Sequence, residues 1–300
     1  MNLADRTFGG SPALHYVEGA DNGPPLLLLH GLARAWQDYE PLLPALLPHW
    51  HVFALDHCGQ GDSERTPGRY LVTDYVEDVA RFVTNKCRAG VTLYGHSLGA
   101  MVALAVAAEL PEPIASIILE DPPFHTMGRR IAQTPWLALF TGLREVARRG
   151  GDIKTLAVAI AAVRVPTPVG GCSTLGELRF AESLRFSAEC LARLDPETYS
   201  PVIEGRWLDG YEERRLFPKV RCPVFLLQGD PACGGALTDK DAGFALAACP
   251  LARRAQFPRT GHLIHREQPD AVSRVIADFA TSLAVRKNAH RIPTLQDSDR

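Results

Sequence analysis

The 300-residue chain is 46% hydrophobic and 22% charged, the make-up of a folded globular protein with material for one sizeable core and an insertion. Its 32 basic and 34 acidic side chains nearly cancel, which offers no one-signed field for nucleic acid or an anionic membrane. No apolar run approaches the ~18 residues of a membrane span, and the start Met1-Asn2-Leu3-Ala4-Asp5-Arg6 is unlike a signal peptide. With seven scattered cysteines and no CxxC pair, a cytoplasmic protein with reduced thiols is expected.

Leu14–Val17 is the first predicted strand. Leu26–Leu29 is a second, ending at His30-Gly31; Val52–Leu55 ends at Asp56, Val91–Tyr94 at Gly95, and Ile114–Leu119 at Glu120-Asp121. Unalternated apolar runs of this length suit central strands buried on both faces. Helical patterns fill the intervals, notably Val72–Cys87 and Leu98–Leu110, and the second is apolar on every side, as a buried helix is. Strict alternation of strand and helix predicts an α/β fold with a doubly wound, mostly parallel sheet. The polar and glycine residues that end the strands then lie at carboxyl ends, where ligands bind in such sheets.

The alternation stops after Pro122-Pro123. Residues 124–221 carry helical patterns, in groups Pro135–Val165 and Leu175–Leu194, and no convincing strand. They read as a helical lid inserted into a core of residues 1–123 and 222–285. Strand and helix resume at Pro223–Gln228, Asp239–Cys249, Ala255–Phe257 and Pro269–Val285. Arg286–Arg300 is a polar tail without apolar period. The last helix and tail allow a homodimer without requiring one.

The decisive motif is Gly95-His96-Ser97-Leu98-Gly99. A G-x-S-x-G between an apolar strand and an Ala-rich helix places the serine on a sharp turn at the head of the sheet. The glycines let the backbone turn without a Cβ clash, and the helix directs its free N–H groups at a developing oxyanion. Downstream, Gly261-His262 follows the last strand, with His265 three residues on as a competing imidazole. No H-E-x-x-H motif, clustered His/Cys spacing, P-loop or dinucleotide fingerprint occurs, so neither metal nor cofactor is expected.

Together with His30-Gly31 and Asp56-His57-Cys58-Gly59-Gln60-Gly61-Asp62-Ser63, these motifs resemble the α/β-hydrolase superfamily, in its order and from about Leu14 to Val285. The resemblance implies Ser97 as nucleophile and His262 as general base. It implies an oxyanion hole from the N–H groups of Leu32 and Leu98, whose loss of one donor costs about 3 kcal/mol. Asp230 occupies the superfamily's usual acid position, although Gln228-Gly229-Asp230-Pro231 departs from the common G-x-x-D spacing; Asp121 occupies an alternative one, and Glu120 is a lesser candidate. His30 and His96 lie inside the motifs and are expected near the site. Trp136, Trp207 and His30 are expected to line the substrate.

A serine at the elbow excludes the superfamily's aspartate-dependent dehalogenases and epoxide hydrolases. The expected reaction is hydrolysis of a carboxylic ester or lactone on a hydrophobic or aromatic small molecule. The same triad also serves zearalenone-type macrolactone hydrolases, some with the acid where Asp121 stands, as well as carbon–carbon bond hydrolases and acyltransferases or perhydrolases. A non-catalytic ligand receptor on this fold is disfavoured by an intact serine, histidine and acid.

Overall fold

Among the described residues, eight of the ten strands form one sheet, and their burial explains its build. The computed structural model describes residues 2–87, 90–128, 130–167 and 170–289. In chain order the strands are β1 (Ala4–Phe8), β2 (Leu14–Glu18), β3 (Pro25–Leu29), β4 (His51–Leu55), β5 (Val91–His96), β6 (Ile114–Glu120), β7 (Arg164–Pro166), β8 (Cys172–Thr174), β9 (Val224–Gly229) and β10 (Ala252–Phe257). The sheet order is β1-β2-β4-β3-β5-β6-β9-β10. β1 and β2 pair antiparallel, β2 meets β4 antiparallel, and every later pairing is parallel.

Alternate residues of the central strands feed two cores. Leu27, Leu29, Leu93, Ile117 and Leu226 face one apolar cluster, and Leu26, Leu28, Tyr94, Ile118 and Leu227 face the other. Because both faces are covered, the strands read as continuous apolar runs. The helix Leu98–Glu109 is buried from Leu98 to Ala108. It packs so close to β3 that a Cβ on Gly99 would stand 1.9 Å from the Leu29 carbonyl oxygen. No helix among the described residues is long and apolar enough to cross a membrane.

The strand expectations hold at the centre of the sheet and fall short at its rims. β1 was not expected: its Asp5-Arg6-Thr7 stretch is exposed, so an edge strand of this kind carries no apolar run. β10 begins three residues earlier than Ala255, at the similarly polar Ala252-Arg253-Arg254.

Residues 124–221 lie between β6 and β9 and are mainly helical. The helices Pro135–Arg149, Ile153–Ala161 and Ala181–Ala192 share a core of their own, built from Leu139, Leu143, Leu156, Ile160, Leu184, Leu191 and Tyr199. Contrary to the expectation of no strand there, β7 and β8 form an antiparallel hairpin. Its three-residue strands are too short for alternation to register in sequence. The last helix runs Pro269–Ala289, past the expected end at Val285; the rest of the expected tail, residues 290–300, lies outside the described residues.

Candidate active site

The parallel register sets the carboxyl ends of β3, β5 and β6 side by side: Leu29 lies beside Gly95, Gly95 beside Leu119, and His96 beside Glu120. Each strand therefore delivers its terminal residues to one edge. Ser97 follows β5 with φ 53° and ψ −110°, and caps the N-terminus of the helix Leu98–Glu109. A positive φ at a residue with a Cβ is rare and costs roughly 1–3 kcal/mol, so the surrounding packing holds it. Gly95 and Gly99 make that possible: a Cβ on Gly95 would sit 2.2 Å from the Gly99 carbonyl oxygen. The Ser97 N–H is taken by the Glu120 carbonyl at 2.9 Å.

Asp121 follows β6 and is also at positive φ, 45°. Its carboxylate is fully buried. Oδ1 accepts from the N–H groups of Gly229 and Leu237, each at 3.1 Å, and Oδ2 from Ala236 N–H at 2.6 Å. Oδ2 also takes His262 Nδ1–H at 2.7 Å, which assigns the proton to Nδ1 and leaves Nε2 as the basic nitrogen. Asp230 stands elsewhere. Its carboxylate accepts from Ala232 N–H at 2.9 Å and Arg259 N–H at 3.0 Å, which holds it below the usual carboxylate range. It caps the turn Pro231–Cys233. The end of β9 and the loop after it thus supply backbone donors to Asp121, while the Asp230 carboxylate is engaged in its own turn.

His96 joins the serine turn to the histidine loop. Its Nε2–H donates to the His262 carbonyl at 2.9 Å, and its ring lies 4.6 Å from that of His262. Burial lowers its pKa well below the usual imidazole range, with His262 and His265 adding to the effect, so the ring is neutral. His265 is the fully buried partner of Glu120 (Nδ1 to Oε1, 2.8 Å) and does not take His262's place beside Asp121. Glu120 is held in turn by the Tyr94 hydroxyl and His265 N–H, which occupies it away from His262.

On the β3 side, Gly31 approaches the serine closely: a Cβ there would lie 3.3 Å from Ser97 Cβ and 2.7 Å from His96 Nδ1. The next residues rise in a turn with Ala33 at φ 59°. Ala33 N–H donates to Gln60 Oε1 at 2.7 Å. The N–H groups of Ala33 and Ser97, one on each turn, are thus both engaged within the protein.

Two of the expected substrate contacts fall elsewhere. His30 is fully buried, and both its ring nitrogens serve the backbone: Nδ1–H donates to Gly31 O at 2.7 Å and Nε2 accepts from His57 N–H at 3.0 Å. It ties β3 to the turn after β4. Trp207 is 1% exposed and packs in the larger apolar core, its indole nitrogen buried without a hydrogen-bond partner. Trp136 is half-buried and stands edge-on to His262, with ring centroids 5.7 Å apart. It stacks on Phe140 at 6.1 Å, and Phe140 meets Tyr199 at 5.8 Å. Sequence reading missed this row because Tyr199 lies some sixty residues from Trp136, on another helical turn.

The arrangement is of a kind that does acyl-transfer chemistry: a strained, helix-capping serine and an imidazole oriented by a buried carboxylate at the same sheet edge. The family description "alpha/beta hydrolase fold" matches residues 24–160. The 2-(acetamidomethylene)succinate hydrolase of Mesorhizobium japonicum is 32% identical over 105 residues, a match spanning 35% of this chain and only 38% of that protein. The N-formylmaleamate deformylase of Pseudomonas putida is 24% identical over 270 residues, 88% of this chain and 91% of that one. The structure of the enol-lactonase from Burkholderia xenovorans LB400 superposes with a TM-score of 0.71 at 21% identity, covering 92% of this chain and 100% of that one. Sheet order, motif order and these likenesses agree: the chain has the α/β-hydrolase fold.

Proposed function

We propose that the protein is a serine hydrolase that cleaves a carboxylic ester or lactone of a small molecule through an acyl-enzyme on Ser97. The observation that carries this reading is the Asp121–His262 pair, 2.7 Å apart, at the sheet edge that also holds Ser97 at φ 53°. Ser97 Oγ attacks the carbonyl carbon while His262 Nε2 takes its proton. The proton then goes to the leaving oxygen, which departs as an alcohol. Water attacks the acyl-enzyme by the same route in reverse and releases the acid. Asp121 keeps the imidazole in the right tautomer and stabilises the imidazolium. The N–H groups of Leu32 and Leu98 receive the oxyanion. Trp136 and Phe140 form an apolar wall beside the imidazole, which supports a hydrophobic or aromatic group near the scissile bond. In this reading the insertion 124–221 serves as the lid.

Likeness to a deformylase and to an acetamidomethylene-succinate hydrolase supports a second reading, cleavage of an activated amide by the same acyl-enzyme. Likeness to an enol-lactonase supports the first. A panel of p-nitrophenyl esters, aromatic lactones and N-formyl amides, run on wild type and Ser97→Ala, tests both. Turnover of esters or lactones by wild type alone supports the first reading, and turnover of the amides alone supports the second. Equal turnover by both proteins overturns the serine mechanism.

A further inference from the structure

The turn after β3 is held in a conformation that its own residues do not favour. Arg34 N–H returns to the Gly31 carbonyl at 3.3 Å, so Leu32 and Ala33 are the inner pair of a tight turn, with Ala33 at φ 59°. The third position of such a turn ordinarily takes glycine or asparagine. A residue with a Cβ stays there only when its surroundings hold it. Here the holding is done plane by plane. A trans peptide points its N–H away from its carbonyl, so whatever fixes the Gly31 oxygen also fixes the direction of the Leu32 N–H. That oxygen accepts from Arg34 N–H and from His30 Nδ1–H, the latter at 2.7 Å. The next plane, Leu32–Ala33, is caught by its N–H, which donates to Gln60 Oε1 at 2.7 Å.

Gln60 is fully buried, and the turn after β4 is folded tightly around it. It stands between Gly59 at φ 73° and Gly61 at φ 57°, and a Cβ on Gly61 would fall on the Asp56 carboxylate. Its own N–H donates to the His57 carbonyl at 2.9 Å, and its side-chain nitrogen lies 3.4 Å from the Tyr75 hydroxyl. Asp195 N–H, from the insertion, donates to the Gly59 carbonyl at 2.8 Å. The same turn grips the segment after β3 at two further points: His57 N–H donates to His30 Nε2 at 3.0 Å, and Asp56 Oδ1 accepts from Trp36 N–H at 2.7 Å. Those bonds anchor the two ends of the segment, and Gln60 alone reaches its strained middle among the described residues.

We propose that Gln60 is a positioning residue for the oxyanion donor: by accepting from Ala33 N–H it keeps the turn strained and the Leu32 N–H aimed at the oxygen that becomes negative. Gln60 does not touch the substrate; it acts through the turn. This assignment rests on the hydrolase reading, in which Ser97 Oγ bonds to the carbonyl carbon, the π pair moves onto the carbonyl oxygen and the serine proton passes to His262 Nε2. Without the acceptor, Ala33 is free to leave positive φ, and the plane beside the donor shifts with it. A misplacement of about 1 Å in such a site costs on the order of a hundredfold in rate. The donor holds the oxyanion more strongly than the ground-state carbonyl, so the loss falls on kcat rather than KM. The role requires an accepting oxygen at a fixed reach, which a glutamate supplies and a leucine does not.

Gln60→Leu, Gln60→Met and Gln60→Glu in the full chain test this. On the p-nitrophenyl ester that wild type hydrolyses best, kcat of Gln60→Leu is expected to fall on the order of a hundredfold with KM within about threefold, and Gln60→Glu to recover most of that loss. Phenethyl trifluoromethyl ketone adds to the serine as a hemiketal oxyanion. Its affinity should drop in Gln60→Leu by the same factor as kcat/KM, while the matching trifluoromethyl carbinol binds both proteins alike. Amide hydrogen exchange at Ala33, which needs no turnover, should quicken by about tenfold or more in Gln60→Leu. Should Gln60→Leu not fold, Gln60→Met carries the same comparisons. A kcat within about twofold of wild type, a loss expressed in KM instead, an equal loss in Gln60→Glu, or unchanged ketone affinity overturns the proposal. Turnover by wild type that is indifferent to Gln60 defeats the positioning role alone. No turnover of any ester, lactone or amide by wild type, with the Ala33 amide still freed in Gln60→Leu, defeats the hydrolase reading alone.

Discussion

Asp121 combines two properties rarely found in one side chain: a strained backbone at φ 45° and a fully buried carboxylate with four hydrogen bonds. Three of those donors are main-chain N–H groups from Gly229, Ala236 and Leu237, so the carboxylate also fastens the loop after β9. Asp121→Asn would set an amide NH₂ against groups that only donate. We expect kcat to fall about ten-thousand-fold, from loss of the imidazole tautomer, with a stability loss of about 1–3 kcal/mol from the unmatched donors. Asp230→Asn removes only a turn cap and should leave kcat near that of wild type. Steady-state kinetics on the two variants decide the acid; the reverse ranking would return the role to Asp230. Both acids are visible in sequence as residues that end strands, and the G-x-x-D departure at Asp230 was the only hint. What separates them is which carboxylate the His262 loop meets, and that contact spans 141 residues.

At the scale of elements, one buried ionic cluster joins three of them. His265 of the helix Ile264–Glu267 hydrogen-bonds Glu120 at the end of β6 and lies 3.3 Å from Asp38 of the turn Trp36–Tyr39, an ion pair without hydrogen-bond alignment. Burial disfavours its charge, but Glu120 and Asp38 outweigh that and raise its pKa to about 9. An imidazole whose pKa is higher folded than unfolded, where it is about 6.5, adds stability that is full below that value. The contribution is lost as pH rises through about 9. Urea unfolding should therefore show stability falling across this window in wild type, and a flatter profile for His265→Gln. That variant should also lose about 3–5 kcal/mol at neutral pH, because the imidazolium buried between Glu120 and Asp38 is removed. A wild-type profile without this fall would refute the assignment. The sequence offers little warning of such a cluster, since an acid, a turn aspartate and a loop histidine carry no periodicity that links them.

For the molecule as a whole, the question is how residues 124–221 are fastened to the sheet. Phe186 of the helix Ala181–Ala192 lies between two core arginines, with Arg34 4.5 Å and Arg266 4.3 Å from its ring centroid. Each cation–ring contact is worth roughly 0.5–2 kcal/mol. Phe186→Ala should speed amide hydrogen exchange in the helix Ala181–Ala192 while leaving the central strands protected; unchanged exchange there would show that the clamp does not hold the insertion. The sequence by itself determined the alternation of strand and helix, the serine turn and the order of the motifs, because each is written in contiguous residues: apolar runs buried on both faces, and glycines where a Cβ cannot fit. It did not contain the polar edge strand β1, the β7–β8 hairpin, or the choice of Asp121 beside His262. Those depend on which distant segments meet. Only the tertiary structure decides that, since burial and hydrogen bonding are settled by neighbours in space.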